Sequence, residues 1–161
     1  MVSLRPIAPA DRERMLDILT SSQVSRSYML PNFTDRDAAI PLFRRLMEMS
    51  NDDSKYVRAI AVDDSLVGFL NHTNIDGDSM ELGYVIHPDS QGKGYMTKAL
   101  QLAMEELFSR GYREIIAGAF SANTASIRVM EKCGMLRMDK TDAVTYRGET
   151  HTCVYYRKLQ E

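Results

Sequence analysis

Gly92 and Gly94 stand between two stretches of different period, a position in which bare backbone has a chemical use. Met80, Leu82, Tyr84 and Ile86 alternate with Glu81, Gly83, Val85 and His87 in the pattern of a strand, and Pro88 ends it. Met96, Ala99, Leu100, Ala103, Met104, Leu107 and Phe108 then recur at helical spacing as far as Gly111. A glycine loop entering a helix exposes unbonded N–H groups and the positive end of the helix dipole with no side chain in the way, which suits a pyrophosphate. The same glycines would serve a tight turn needing positive φ, so the pair alone fixes no ligand. A P-loop requires Gly-x-x-x-x-Gly-Lys-Ser/Thr, and neither Lys93 nor Lys98 follows glycines so spaced. A dinucleotide fingerprint would need a third glycine where Thr97 stands, and Ala119-Phe120-Ser121 ends the next strand without an acid for a ribose.

Gln91-Gly92-Lys93-Gly94-Tyr95-Met96 resembles the Gln/Arg-x-x-Gly-x-Gly/Ala signature of the GNAT acetyltransferases, which bind acetyl-coenzyme A. Downstream, Asn123-x-x-Ser126 leading to Glu131-Lys132-Cys133-Gly134-Met135 is similar to the family's Asn-x-x-(Ala/Ser)…Glu-Lys-x-Gly-Phe. The details lean toward the subgroup resembling ribosomal-protein N-terminal acetyltransferases. The resemblance implies that Gln91, Gly92, Lys93, Gly94, Tyr95, Met96 and Thr97 hold the pyrophosphate. It also implies that Val85, Ile86 and His87 line the pantetheine arm, joined by Asn123 and Ser126. Met96 departs from the signature's small residue, but it opens the helix's apolar stripe, so its side chain can turn to the core and leave its N–H free.

Acetyl transfer sets the remaining requirements. The thioester oxygen needs a fixed donor as an amine attacks. Gly83 inside the strand would mark a bulge that frees N–H groups nearby, and the resemblance implies the Val85 amide as the donor. The amine must lose a proton, for which Glu81 is the candidate; it lies ~13 Å from Val85 along the strand, so it would act through water. A half-exposed strand carboxylate paired with a surface cation fits Glu81 equally well. His87 is expected to be structural or cofactor-flanking. Many relatives protonate the leaving thiolate with a tyrosine, whose place Met130 takes here; the subgroup's serine falls on Ser126. Asn123 also suits a helix N-cap.

Those residues need a scaffold. The 161 residues are 44% hydrophobic and 26% charged, enough for one domain spanning 1–161, and a net charge of −2 leaves no electrostatic footprint for nucleic acid. Cys133 and Cys153 have no metal-ligand spacing, and the three histidines stand far apart, so no metal is expected. Cys133 and the 11 methionines read as core. No apolar run approaches the ~18 residues of a membrane span, and no signal-like core opens the chain, so a cytoplasmic protein with reduced thiols is expected.

Val2 to Arg5 reads as a strand, and Met15, Leu16, Ile18 and Leu19 as one face of a helix. Ser21 to Phe33 is too apolar for a linker and could wall the acceptor site, with Tyr28 and Phe33 as its contacts. Thr34 can cap a helix running to Met49, with Pro41 forcing a kink or a late start. Lys55–Val62 and Leu66–Thr73 form a hairpin turning at Asp63-Asp64-Ser65, and Asp76-Gly77-Asp78 turns into the Met80 strand. Arg113–Ala119 should return parallel to it. A helix from Asn123 to Cys133 precedes a final hairpin of Met135–Asp139 and Thr152–Leu159. The expected fold is therefore mixed α/β (α+β), a mostly antiparallel sheet of six or seven strands with about four helices, as in GNAT proteins. The implied reaction is direct transfer of acetyl from acetyl-CoA to a primary amine. A protein N-terminal α-amine is the first choice of acceptor, and a polyamine, aminoglycoside or amino acid the second. An acyl-CoA sensor without turnover is the alternative from another class. Monomer and homodimer both remain open.

Overall fold

The computed structural model describes residues 1–161. Seven strands form one sheet: β1 (Val2–Arg5), β2 (Val57–Val62), β3 (Ser65–Asp76), β4 (Ser79–Ile86), β5 (Glu114–Phe120), β6 (Leu136–Tyr146) and β7 (Glu149–Leu159). Their order is β1-β2-β3-β4-β5-β7-β6, and the β4–β5 pair alone is parallel, as the intervening helix requires. The helices are α1 (Arg12–Leu19), α2 (Ile40–Ser50), α3 (Tyr95–Ser109) and α4 (Thr124–Lys132). No helix is long and apolar enough to cross a membrane.

Period-two alternation divides the strand side chains between two cores. Met80, Leu82, Ile115 and Ala117 face α3 and α4, where Leu100, Ala103, Met104, Leu107, Met130 and Cys133 meet them. Phe69 and Val85 face α1 and α2, against Leu16, Ile18, Leu19 and Phe43. Met96 is buried in the first of these cores, as its place in the helical stripe predicts.

The helix expected from Asp35 starts late: a 3-10 turn covers Asp37–Ala39 and α2 proper begins at Ile40, with Pro41 in its first turn, where a missing N–H costs nothing. The capping oxygen belongs to Asp35, which accepts from the Ala38 N–H at 2.9 Å; Thr34 has no such role. The final hairpin is the larger correction. Its strands do not stop at Asp139 and restart at Thr152 but run on to a two-residue turn at Arg147 and Gly148, both with positive φ. The tip is anchored far away in sequence: Tyr146 Oη donates to the Ser25 carbonyl (2.8 Å) and accepts from the Leu30 N–H (3.2 Å), and the Arg147 guanidinium donates to the Leu30 and Pro31 carbonyls. The 21–33 segment is thereby fixed from the opposite end of the chain.

The feature that shapes the site is a split in the sheet. The β4–β5 pairing runs from Ser79↔Glu114 to Leu82↔Ala117 and ends. β4 continues against β3 to Ile86↔Gly68, and β5 against β7 to Phe120↔Cys153. Gly83 is not the bulge expected of it. It pairs in register with Asn71, and the irregularity lies in β3, between His72 and Asn74.

Candidate functional site

The loop after β4 presents an uninterrupted row of backbone donors. None of the N–H groups from Gln91 to Thr97 meets an acceptor in the chain; the first to do so is that of Lys98, on the Gly94 carbonyl at 3.3 Å. Gly92 and Gly94 adopt φ of 75° and 78°, the left-handed region that lets successive N–H groups converge, with open space where a Cβ would stand. A cleft of about 560 Å³ begins here and runs into the split between β4 and β5, where Gly83, Tyr84, Val85, Ile86, Gly118 and Ala119 line it. Lys93, Arg128 and Lys132 also line it, no carboxylate does, and none of these three cations has an ion-pair partner. The cleft suits an anion with a phosphorylated end. Arg128 and Lys132 stand one turn apart on α4; Lys132 belongs to the Glu131-Lys132-Cys133-Gly134 motif, whereas Arg128 carries no signature and is found only from its place on the cleft wall.

The peptide groups of β4 are sorted by register. The His87 N–H donates to the Val67 carbonyl at 2.7 Å, and the Val85 carbonyl lies against Gly68, closer than a Cβ there could tolerate. Both observations turn the Val85 and His87 peptide groups toward β3. Alternation turns those of Tyr84 and Ile86 toward the split, where β5 no longer pairs with them. The Val85 amide, expected as the donor, therefore faces β3 and not the split, and its side chain is core. His87 is likewise withdrawn from the cleft. Its buried ring accepts from the Asp89 N–H at Nδ1 (3.1 Å) and meets Asp17 through Nε2 (3.0 Å), tying the loop to α1. Asp89 is held well below the usual carboxylate range by the Arg14 guanidinium at 2.8 Å and the Ser90 hydroxyl.

Asn123 caps α4 as expected, its Oδ1 accepting from the Ser126 N–H at 3.2 Å. Ser126 reaches the cleft, and its hydroxyl lies 2.7 Å from Tyr84 Oη, which also donates to the Ser126 carbonyl at 3.1 Å. Burial pushes the Tyr84 phenol up to about 12. It stays protonated at working pH, with one O–H shared between the Ser126 carbonyl and hydroxyl, so the two hydroxyls form a short chain in which either can be the donor. Cys133 is core, its thiol raised by burial and directed at the Thr97 carbonyl.

The other side of the split, on the α1–α2 face, has a different character. Tyr28 lines the cleft, edge-on to Phe69 with ring centroids 5.8 Å apart, and donates to Asn71 Oδ1 at 2.8 Å. Gly83 keeps this packing possible, because a Cβ there would stand 3.3 Å from Thr73 and 3.4 Å from Asn71. Phe33, expected beside Tyr28, packs instead on the helical core and does not line the cleft. Glu81 accepts from the Thr73 hydroxyl at 2.6 Å and has no cationic partner, so the surface ion pair considered for it does not form. Burial raises the Cys153 thiol, and Asp142 pairs with Cys153 across β6 and β7. Tyr155, buried against Gly118, donates to Asp142 Oδ2 at 2.7 Å. Asn71, Thr73, Asp142 and Tyr155 carry no motif; strand pairing alone brings them together.

Residues 2–136 match the acetyltransferase (GNAT) domain family. Over 155 residues the chain is 28% identical to the uncharacterized N-acetyltransferase YnaD of Bacillus subtilis (strain 168), covering 94% of this chain and 88% of that protein. Among solved structures it is similar to RimL, a ribosomal L7/L12 alpha-N-protein acetyltransferase in complex with coenzyme A, with a TM-score of 0.85 at 18% identity over 98% of this chain and 93% of that one. It is also similar to the spermidine N-acetyltransferase of Vibrio cholerae in complex with CoA and spermine, with a TM-score of 0.82 at 16% identity over 99% and 95%.

Proposed function

The chain belongs to the GNAT acetyltransferase family, whose members use acetyl-CoA, and from that premise we propose that it transfers acetyl directly to the primary amine of a cationic acceptor, first among them a protein N-terminal α-amine. The observation that carries this reading is the union of a free N–H row with a split whose inward peptide groups are unpaired. That donor set fits a molecule with a charged pyrophosphate head and a thin, amide-bearing arm.

In this reading Gln91 to Thr97 bond the pyrophosphate, assisted by Lys93, while Arg128 and Lys132 add positive charge from the opposite wall. The arm enters between β4 and β5, pairs with the peptide group of Ile86, and brings the thioester oxygen to the N–H of Tyr84, nearest the closed end of the split. On the far face Glu81, through water, takes a proton from the acceptor ammonium. The amine nitrogen attacks the carbonyl carbon, the C–S bond breaks, and the second amine proton reaches the leaving thiolate through the Ser126 hydroxyl, which gives up its own proton and regains one from the nitrogen. Asn123 adds a side-chain amide to the arm's path. The products are the acetylated amine and coenzyme A.

The acids around the acceptor side support a small cation such as a polyamine as the second reading. The available Glu81 supports turnover over mere sensing. The test is a screen of N-terminal peptides and polyamines against acetyl-CoA, following free thiol. Thiol release that needs an amine and is lost in Glu81→Gln is the expected result. Tight acetyl-CoA binding with no amine-dependent release from any acceptor contradicts the reading.

A further inference from the structure

An ammonium already sits on the acceptor side. Lys140 Nζ lies 4.6 Å from the centroid of the Tyr155 ring and 4.0 Å from Asp142 Oδ2. The groups that receive it are held more firmly than the lysine itself. Tyr155 is buried, its ring pressed so closely on Gly118 that a Cβ there would come within 2.9 Å, and its hydroxyl pins the carboxylate at 2.7 Å. The lysine is exposed, and its distance from the carboxylate is well beyond the ~2.8 Å of a formed charge-assisted bond. An aromatic face beside a fixed carboxylate is a receptor for alkylammonium, and here it is filled loosely by the chain's own side chain.

Position gives that receptor a use. Gly118 belongs to the cleft lining, at the split, and Tyr155 pairs with it across β5 and β7. Asp142 pairs with Cys153 on the neighbouring strand and shares that sheet face with Glu81 and Gly83. An acceptor whose amine meets the thioester near Gly83 and Gly118 can therefore extend across the Tyr155 ring toward Asp142. We propose that Tyr155 and Asp142 form a subsite for a second positive charge of the acceptor, and that Lys140 fills it in the free protein and is displaced when such an acceptor binds. The proposal rests on the amine-acetylation reading for the identity of the first amine. It favours a diamine, or a peptide with a basic side chain near its N-terminus, over a monoamine.

The test uses two matched pairs of acceptors: diaminohexane against hexylamine, and a short peptide with lysine at the second position against the same peptide with methionine. Wild-type protein, Asp142→Asn and Lys140→Met are compared by thiol release, with thermal melting to establish that the variants fold. Asp142→Asn is expected to raise the KM of the dicationic acceptor about tenfold and leave its kcat and the monoamine's KM nearly unchanged. Lys140→Met is expected to lower the dicationic KM several-fold. The diamine and peptide arms tell which source of the second charge is preferred. In parallel, Tyr155 ring resonances are followed in free wild-type protein as each amine is added. They should move with the dicationic member of a pair and stay with the other. Equal responses of both members, in rates or in ring shifts, would overturn the subsite. Absence of thiol release from every amine would overturn the acetylation reading instead, and the ring titration would still decide the subsite.

Discussion

One split in one sheet opens on two chemically opposite surfaces. On the loop side the cleft is lined by Lys93, Arg128 and Lys132 with no acid, above a row of backbone donors. On the α1–α2 face the carboxylates of Glu81 and Asp142 are held by the Thr73 and Tyr155 hydroxyls, with Lys140 loosely placed beside Asp142. In the proposed reading a thioester carrying phosphates and a cationic amine would be drawn to the same seam from different sides. The division also separates their failures: damage to one side should weaken one substrate and spare the other.

The largest effect should come from Gly94→Asp. It places a side chain at a φ of 78° and a negative charge within the donor row, and acetyl-CoA affinity is expected to fall at least ~100-fold by calorimetry. Glu81→Gln attacks the opposite surface: turnover should fall about 100-fold in the thiol-release assay, with acetyl-CoA affinity unchanged. Loss of acetyl-CoA binding in this variant would break the comparison. Tyr84→Phe works at the seam, removing the phenol that fixes Ser126, and should lower kcat roughly threefold to tenfold without altering either substrate's binding. Because that phenol is pushed up to about 12, the pH–rate profile should lose height but gain no new break below pH ~10. Arg128→Ala and Lys132→Ala should each weaken acetyl-CoA by roughly threefold, an effect that shrinks with added salt while acceptor KM stays constant.

The smallest effect concerns the strut behind the loop. Arg14 holds Asp89 below its unfolded value, so the pair contributes stability above pH ~3.9 and loses it as pH falls through the depressed folded value. Asp89 is exposed, and screening limits the contribution to about 0.5 kcal/mol. Arg14→Ala should melt slightly lower than wild type at neutral pH, with the gap closing in acid.

The two surfaces were not equally readable from the chain. The loop side is local: strand, glycines and helix follow one another, so its period change and its signature stand in one stretch. The acceptor side is assembled from β3, β4, β6, β7 and the 21–33 segment, and only pairing brings Thr73, Glu81, Asp142 and Tyr155 together. The polar run from Lys140 to His151 looked like loop because β6 is an edge strand with little apolar burial to mark it. Phe33 is apolar and near Tyr28 in sequence, yet proximity along the chain does not say which way a ring packs. The direction of the Val85 amide is a matter of parity. Period two tells which side chains share a face, but which N–H points to which neighbour depends on the β3 register, and a shift of one residue exchanges the two.

That parity is open to direct measurement by residue-resolved amide hydrogen exchange, with and without saturating acetyl-CoA. In free protein the Val85 and His87 amides should be protected by β3, and those of Tyr84, Ile86 and the Gln91–Thr97 row should exchange fast. Acetyl-CoA should then protect Tyr84, Ile86 and the row. Fast exchange at Val85 in the free protein, or no protection of Tyr84 by bound acetyl-CoA, would contradict a thioester held in the split.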